Sequence, residues 1–346
     1  MLRLIVLGAV LAMIVGAAAS GGSAQAASVR NSLNVPNWSG GAYLNERTKA
    51  FERCAATKGG GEGTSISYSV DQEYRWNVSL SNPAWNFVKG ATQVVNLKIG
   101  DANVSSATAI AVDKTVLELQ SLDPITFFAW FRVARQLHIG IGGLLLEFSL
   151  DGGEEVLSAL TQCVLRATNF SKIEKSRSAI LDSHDSSDAA KQKEALAIVS
   201  DIISYSHMPD SKVLPAAEEF FNLTPDATWK VGLVTNHLII FDVPIPIASV
   251  SEALVARSSR ACQRGFFFIS LPDKINKLEI ERTFTSCQTT ETTISSHFLV
   301  IPRSKSGYYI LSVVSTGSSF LPVAHRAAAE YDARLRSIIM TAIQNH

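Results

Sequence analysis

The chain has 346 residues, with 31 basic side chains against 31 acidic ones, 47% apolar residues and four cysteines. Balanced charge leaves no broad electrostatic field for holding nucleic acid or an anionic membrane, and 18% charged residues beside that apolar content are far from a disordered composition. A folded protein remains, with enough chain for two domains of ordinary size.

At the N-terminus Arg3 precedes the uncharged apolar residues 4–19, then the small polar stretch 20–23 and Ala24-Gln25-Ala26. This is the pattern of a secretory signal peptide, residues 1–26, cleaved near Ala26. As a helix the apolar stretch rises only about 24 Å, short of the roughly 30 Å hydrocarbon layer. An export leader is therefore favoured over a retained anchor, and the mature chain is expected to be periplasmic or secreted, with no membrane span.

Residues 34–167 read as a strand-rich domain with a closing helix. Ile66, Tyr68 and Val70 alternate with Ser65, Ser67 and Ser69, and Tyr74, Trp76, Val78 and Leu80 alternate with Arg75, Asn77 and Ser79. That period gives each strand one buried face and one wet face, and the short connector 71–73 suits a hairpin. Val95, Leu97 and Ile99 predict another strand, residues 127–137 an apolar helix, and residues 144–150 a strand. Asp151 caps a helix running through Val156, Leu157, Leu160, Cys163 and Val164. Trp76, in phase with Val78 and Leu80, reads as core. Trp38 and Trp85 stand beside turn residues and are the candidate rings of a ligand surface.

Residues 168–193 are rich in charge and serine and read as a linker. The second domain, residues 194–346, opens with a helix at 194–205. Strand-like runs follow at 229–234, 238–243, 265–270, 278–285, 297–301 and 308–314, the last two split by a polar hairpin loop, residues 303–307. Phe266, Phe267, Phe268 and Ile269 are apolar at every position, which suits a central strand covered on both faces. A helix near 323–343 closes the chain, with Ala328, Tyr331, Leu335, Ile338, Ile339 and Ala342 in one stripe and Glu330 and Arg334 as an i,i+4 pair. The whole is α+β: two mainly antiparallel sheets with flanking helices, joined by a polar linker.

Export makes disulfides the default for Cys54, Cys163, Cys262 and Cys287. Three pairings are possible, and the domain division favours Cys54 with Cys163 and Cys262 with Cys287. Loops of those lengths are worth at most ~4.8 and ~3.5 kcal/mol in the chain-entropy model.

The chemical motifs are weak. Ser183-His184-Asp185 holds the side chains of a hydrolase triad, but triad members converge from separate elements, and these are neighbours in a polar linker. Gly-rich stretches at 59–63 and 140–143 lack the Lys-Ser/Thr ending of a phosphate loop and read as turns. The histidines at 138, 184, 207, 237, 297, 325 and 346 show no metal-ligand spacing. Nothing here calls for a cofactor, a metal or a catalytic residue.

The segments Trp38-Ser39-Gly40-Gly41-Ala42-Tyr43, Phe51-Glu52-Arg53-Cys54-Ala55-Ala56, Pro83-Ala84-Trp85, Phe148-Ser149-Leu150-Asp151-Gly152 and Leu160-Thr161-Gln162-Cys163-Val164 resemble a group of uncharacterised two-domain exported proteins of alphaproteobacteria, especially rhizobia. The likeness continues through Phe284-Thr285-Ser286-Cys287, Ile301-Pro302-Arg303 and Ser312-Val313-Val314-Ser315, and departs at residues 261–265, where Ala261 replaces an acidic residue. The resemblance implies a bacterial, periplasmic setting and brings no catalytic residue. Two functions follow as expectations: a non-enzymatic binding or envelope-interaction module, whose partner is an envelope protein or a glycan, and, as the alternative, a periplasmic hydrolase with its site at the inter-domain cleft.

Overall fold

In a computed structural model of the chain, the structure describes residues 28–30, 32–100, 102–120, 123–132, 134–168, 181, 189–207, 210–215, 223–275, 277–317 and 322–345. Residues 1–27, where the leader is expected, and most of residues 168–193, including Ser183-His184-Asp185, lie outside them. The described residues form an α+β fold with two antiparallel sheets and five helices.

The first sheet has ten strands: β1 (Ser28–Arg30), β2 (Ser39–Leu44), β3 (Phe51–Gly59), β4 (Ser65–Asp71), β5 (Trp76–Ser81), β6 (Thr92–Ile99), β7 (Ala102–Asp113), β8 (Val116–Gln120), β9 (Gln136–Ile141) and β10 (Leu144–Ser149). Their order across the sheet is β1-β2-β3-β4-β5-β8-β7-β6-β9-β10. Period-two patterning sets the faces: Ile66, Tyr68, Val70, Trp76, Val78 and Leu80 are buried while the intervening serines are half-exposed. The sheet curls so that β10 and the residues after it approach the β2–β3 side. Gly60, just after β3, lies against Phe148 of β10, where an added Cβ would come within 2.6 Å of the ring. The Asp151 carbonyl accepts from both Trp38 Nε1 at 3.2 Å and Lys58 Nζ at 3.1 Å.

Helix α1 (Pro124–Phe131) fills the concave side with Phe127, Phe128 and Phe131, and α2 (Gly153–Ala167) packs across β2, β3 and β4. The helix predicted over 127–137 is thus corrected: it ends near Phe131, and Leu137, Ile139 and Ile141 alternate with Gln136, His138 and Gly140 as strand β9. Asp151 is not a helix cap. Left-handed Gly152 occupies that position, and the Asp151 carboxylate accepts instead from Ser149 Oγ.

The second sheet has seven strands: β11 (Ser211–Val213), β12 (Ala227–Val231), β13 (Val234–Phe241), β14 (Phe266–Ile275), β15 (Leu278–Gln288), β16 (Thr293–Pro302) and β17 (Tyr308–Gly317). Their order is β11-β12-β13-β17-β16-β15-β14. Helices α3 (Ala189–Ser206) and α5 (Pro322–Gln344) cover one face through Ile198, Val199, Ile202, Leu335 and Ile339. Helix α4 (Ile247–Ala261), which the sequence reading did not foresee, covers the other face through Val250, Ala253 and Leu254. The side chain of Glu330 lies outside the description; the i,i+4 pair seen on α5 is Arg336 with Asp332 at 3.4 Å.

Strand β14 is an edge strand, which corrects the central position expected from its four consecutive apolar residues. Both faces are nonetheless covered. Phe267 and Ile269 enter the core of the first sheet, while Phe266 and Phe268 pack with Val255 and Ala256 of α4. Its open edge is satisfied by the first half: Ser158 Oγ accepts from the Phe266 N–H at 3.2 Å, and Trp76 Nε1 donates to the Phe268 carbonyl at 3.1 Å. Phe267, Ile269 and Phe284 therefore complete a core otherwise drawn from the first half.

The cysteines pair as Cys54 with Cys163 and Cys262 with Cys287, closing sequence separations of 109 and 25. The first joins β3 to α2, and the second joins the end of α4 to β15. No helix among the described residues is long and apolar enough to cross a membrane.

Candidate functional site

Of the two rings singled out from the sequence, Trp38 is buried and Trp85 half-buried. Trp38 is 5% exposed and sits in the core beside Tyr68 and Phe131, with Lys58 Nζ 5.3 Å from its ring centroid. Burial lowers the Lys58 pKa, with Asp151 opposing it. Trp38 is therefore a clamp across the closing seam of the sheet, because its N–H is used on the Asp151 carbonyl. Trp85 is half-buried, stacked edge-on against Phe87 at 5.4 Å and packed on the same core. The structure does not bring the two together with a polar group into a site.

The wet face of the same strands carries the better candidate. Antiparallel register aligns Ser39, Thr57, Ser67, Ser79 and Glu118 in one row across β2, β3, β4, β5 and β8. A neighbouring row runs Gly41, Ala55, Ser69 and Asn77, and another holds Tyr43, Arg53 and Asp71. Because the middle rows carry only small side chains, the face sinks into a trough of about 430 Å³, walled by Tyr43, Glu52 and Arg53 on one side and by Val112, Val116 and Glu118 on the other. Thr57 Oγ1 and Ser67 Oγ are 2.7 Å apart, as are Ser65 Oγ and Ser81 Oγ. A hydroxyl donates one hydrogen bond and accepts two, so such paired hydroxyls keep capacity for a ligand.

The rim is mixed in charge. The Arg53 guanidinium lies 5.5 Å from the Tyr43 ring centroid. Glu52 accepts from Asn45 Nδ2 at 2.8 Å and Glu118 from Gln120 Nε2 at 3.0 Å, both neutral donors. Asp71 is paired with Arg75 at 2.8 Å.

Two other places compete on size or charge. A larger hollow of about 590 Å³ lies among Leu278, Arg303, Tyr309, Met340 and Ile343. Of its two cations, Lys277 and Arg303, the second is committed: Arg303 pairs with Glu194 at 3.0 Å and with Asp242. The second place is the junction of the two halves, where a hydrolase site drawn from both would have to form. There Arg282 holds Asp123 at 3.1 Å and Asp273 at 3.4 Å, Arg336 holds Asp332, and Arg132 bridges Glu154 at 2.8 Å to Ser295 at 3.1 Å. Burial pushes the Asp123 carboxyl up, but Arg282, the Thr126 hydroxyl and Arg336 together hold it below its ordinary value.

His297 lies 4.0 Å from Asp332 and 4.8 Å, ring to ring, from Phe284. Burial, opposed by Asp332 and aided by Arg282, keeps its pKa below the usual imidazole value. Among the described residues no hydroxyl or thiol is hydrogen-bonded to His297, so the junction holds ion pairs between the halves without a nucleophile and base in contact. No group of three metal-ligating side chains occurs among the described residues.

No family model matches the chain, and neither the curated proteins nor the solved structures include a significant match to it. The serines of the trough were visible in the sequence as the wet half of an alternating pattern; what was not visible was the register that aligns them across strands.

Proposed function

We propose that this is an exported bacterial protein, periplasmic or secreted, that acts as a non-enzymatic binding module at the cell envelope and holds a glycan in the trough on its first sheet. The observation that carries the reading is the row of hydroxyls along the trough, from Thr57 through Ser67 to Ser79. Side-chain hydroxyls serve as donor or acceptor by rotation, which matches the hydroxyls along the edge of a sugar ring. Tyr43 and Val116 at the margins supply apolar surface for the C–H faces of such rings. Export is supported by the leader pattern and by two disulfides, which persist in oxidising compartments.

The test is retention of the mature protein on immobilised envelope glycan, compared with a Ser67→Phe, Ser79→Phe double variant that fills the trough floor. Retention lost with an unchanged unfolding midpoint is the expected outcome. Equal retention of the two proteins would remove the trough from the account.

A further inference from the structure

We infer that the chain fitting this trough is an oligosaccharide of amino sugars, lying across the strands with its ammonium groups at the acidic rim; this deepens, and rests on, the glycan reading above. The direction follows from register. The hydroxyl row runs perpendicular to the strands, stepping by one strand spacing of about 4.8 Å at each residue, a step of the same order as one sugar ring in an extended chain. The small floor residues Ala55 and Ser69 keep the neighbouring row low beside the hydroxyl row on β3 and β4.

The charge preference follows from the rim. Of the charged residues lining the trough, Glu52, Asp71 and Glu118 are acidic and Arg53 basic. Asp71 is paired with Arg75, and the Arg53 guanidinium sits over the Tyr43 ring, which leaves two carboxylates, Glu52 and Glu118, against one cation on the rim. Among the described residues the hydrogen bonds to Glu52 and Glu118 come from neutral amides, and the two carboxylates line the hollow from β3 and β8. A neutral sugar would satisfy their oxygens through hydroxyls, but an amino sugar also compensates the charge. A basic peptide offers the cations without the hydroxyls. It would leave the floor row facing an extended backbone whose own hydrogen-bonding groups are best met at a sheet edge rather than on a face.

The experiment is calorimetric titration of the mature protein with oligomers of equal length made of glucosamine, N-acetylglucosamine and glucose, with a lysine-rich peptide alongside. It is repeated on a Glu52→Gln, Glu118→Gln double variant and on Ser67→Phe. The glucosamine oligomer is expected to bind tightest and to weaken with added salt. In the double Gln variant it should lose roughly three- to tenfold in affinity, the size of one or two exposed ion pairs, while Ser67→Phe abolishes binding of every oligomer. Equal affinity for all three oligomers, unmoved by the Gln substitutions, overturns the amine preference and leaves the glycan reading standing. Binding of no oligomer, or binding indifferent to Ser67→Phe, overturns both. Preferential binding of the peptide overturns the sugar assignment in favour of a basic protein segment.

Discussion

The indole N–H of Trp76, on a strand of the first sheet, donates across 3.1 Å to the main-chain carbonyl of Phe268, on the edge strand of the second. The Trp76 ring also meets Phe267 and Phe128 at 5.0 Å each. One side chain thus closes an open sheet edge and packs into a core shared by both halves. An uncapped edge is a template for unwanted pairing, so this contact contributes to solubility as well as stability.

Trp76→Phe keeps much of the packing and orphans the Phe268 carbonyl. It should cost about 1–2 kcal/mol in chemical denaturation, whereas Trp76→Ala, which also opens a cavity, should cost about 3–5 kcal/mol. Because Phe267, Ile269 and Phe284 belong to the first half's core, both variants should shift a single transition seen by fluorescence and circular dichroism alike. Two separated transitions, with only one of them moved, would show that the halves fold independently.

The disulfides should differ in weight. Removing the link between Cys54 and Cys163 as a double Ala variant should cost more than removing the one between Cys262 and Cys287, with upper values of ~4.8 and ~3.5 kcal/mol from loop closure. Against a typical stability of about 5–15 kcal/mol, the first loss should leave the protein marginal at physiological temperature. Unfolding midpoints with and without reductant measure the ranking, and a reversed order would contradict it.

Stability should fall on mild acidification. Burial lowers the His237 pKa from 6.5 to about 4, and His297 is also depressed. A histidine kept neutral by the fold is protonated first in the unfolded chain. Its contribution is therefore fully present above pH 6.5 and is lost as pH falls toward 4, up to about 3 kcal/mol for His237. His237→Gln should flatten the stability profile across that window. An unchanged slope in this variant would place the acid sensitivity elsewhere.

The trough floor should be nearly silent in stability. Ser67→Ala and Ser79→Ala remove half-exposed hydroxyls and should move the unfolding free energy by about 1 kcal/mol or less. A larger loss from either would identify the hydroxyl rows as scaffold rather than contact surface.

Much of the fold was legible where periodicity was clean. The hairpin of Ile66 to Val70 with Trp76 to Leu80, the polar loop before Tyr308 and the apolar stripe of the last helix all appear at the expected places. The misses have physical causes. Strand β7 buries Ala107, Ala109 and Ala111, residues too small to register as an apolar alternation. Helix α4 buries Ser251, Arg257 and Ser258 together with its apolar residues, so polar side chains masked its inward face. Phe266 to Ile269 read as central because both faces are covered, yet the cover over one face and the edge comes from the other half of the chain, a long-range fact no local pattern carries. Trp38 illustrates the same limit: its turn-side position suggested exposure, but the curling of the sheet brings Asp151 over its N–H.

The most direct test is backbone amide chemical-shift mapping of the protein during titration with the glucosamine oligomer. The account predicts that the perturbed amides cluster on the outer rows of β3, β4, β5 and β8, around Thr57, Ser67, Ser69 and Ser79. Shifts gathered instead around Arg303 and Met340 or around Trp85, or a spectrum unchanged at saturation, would contradict it.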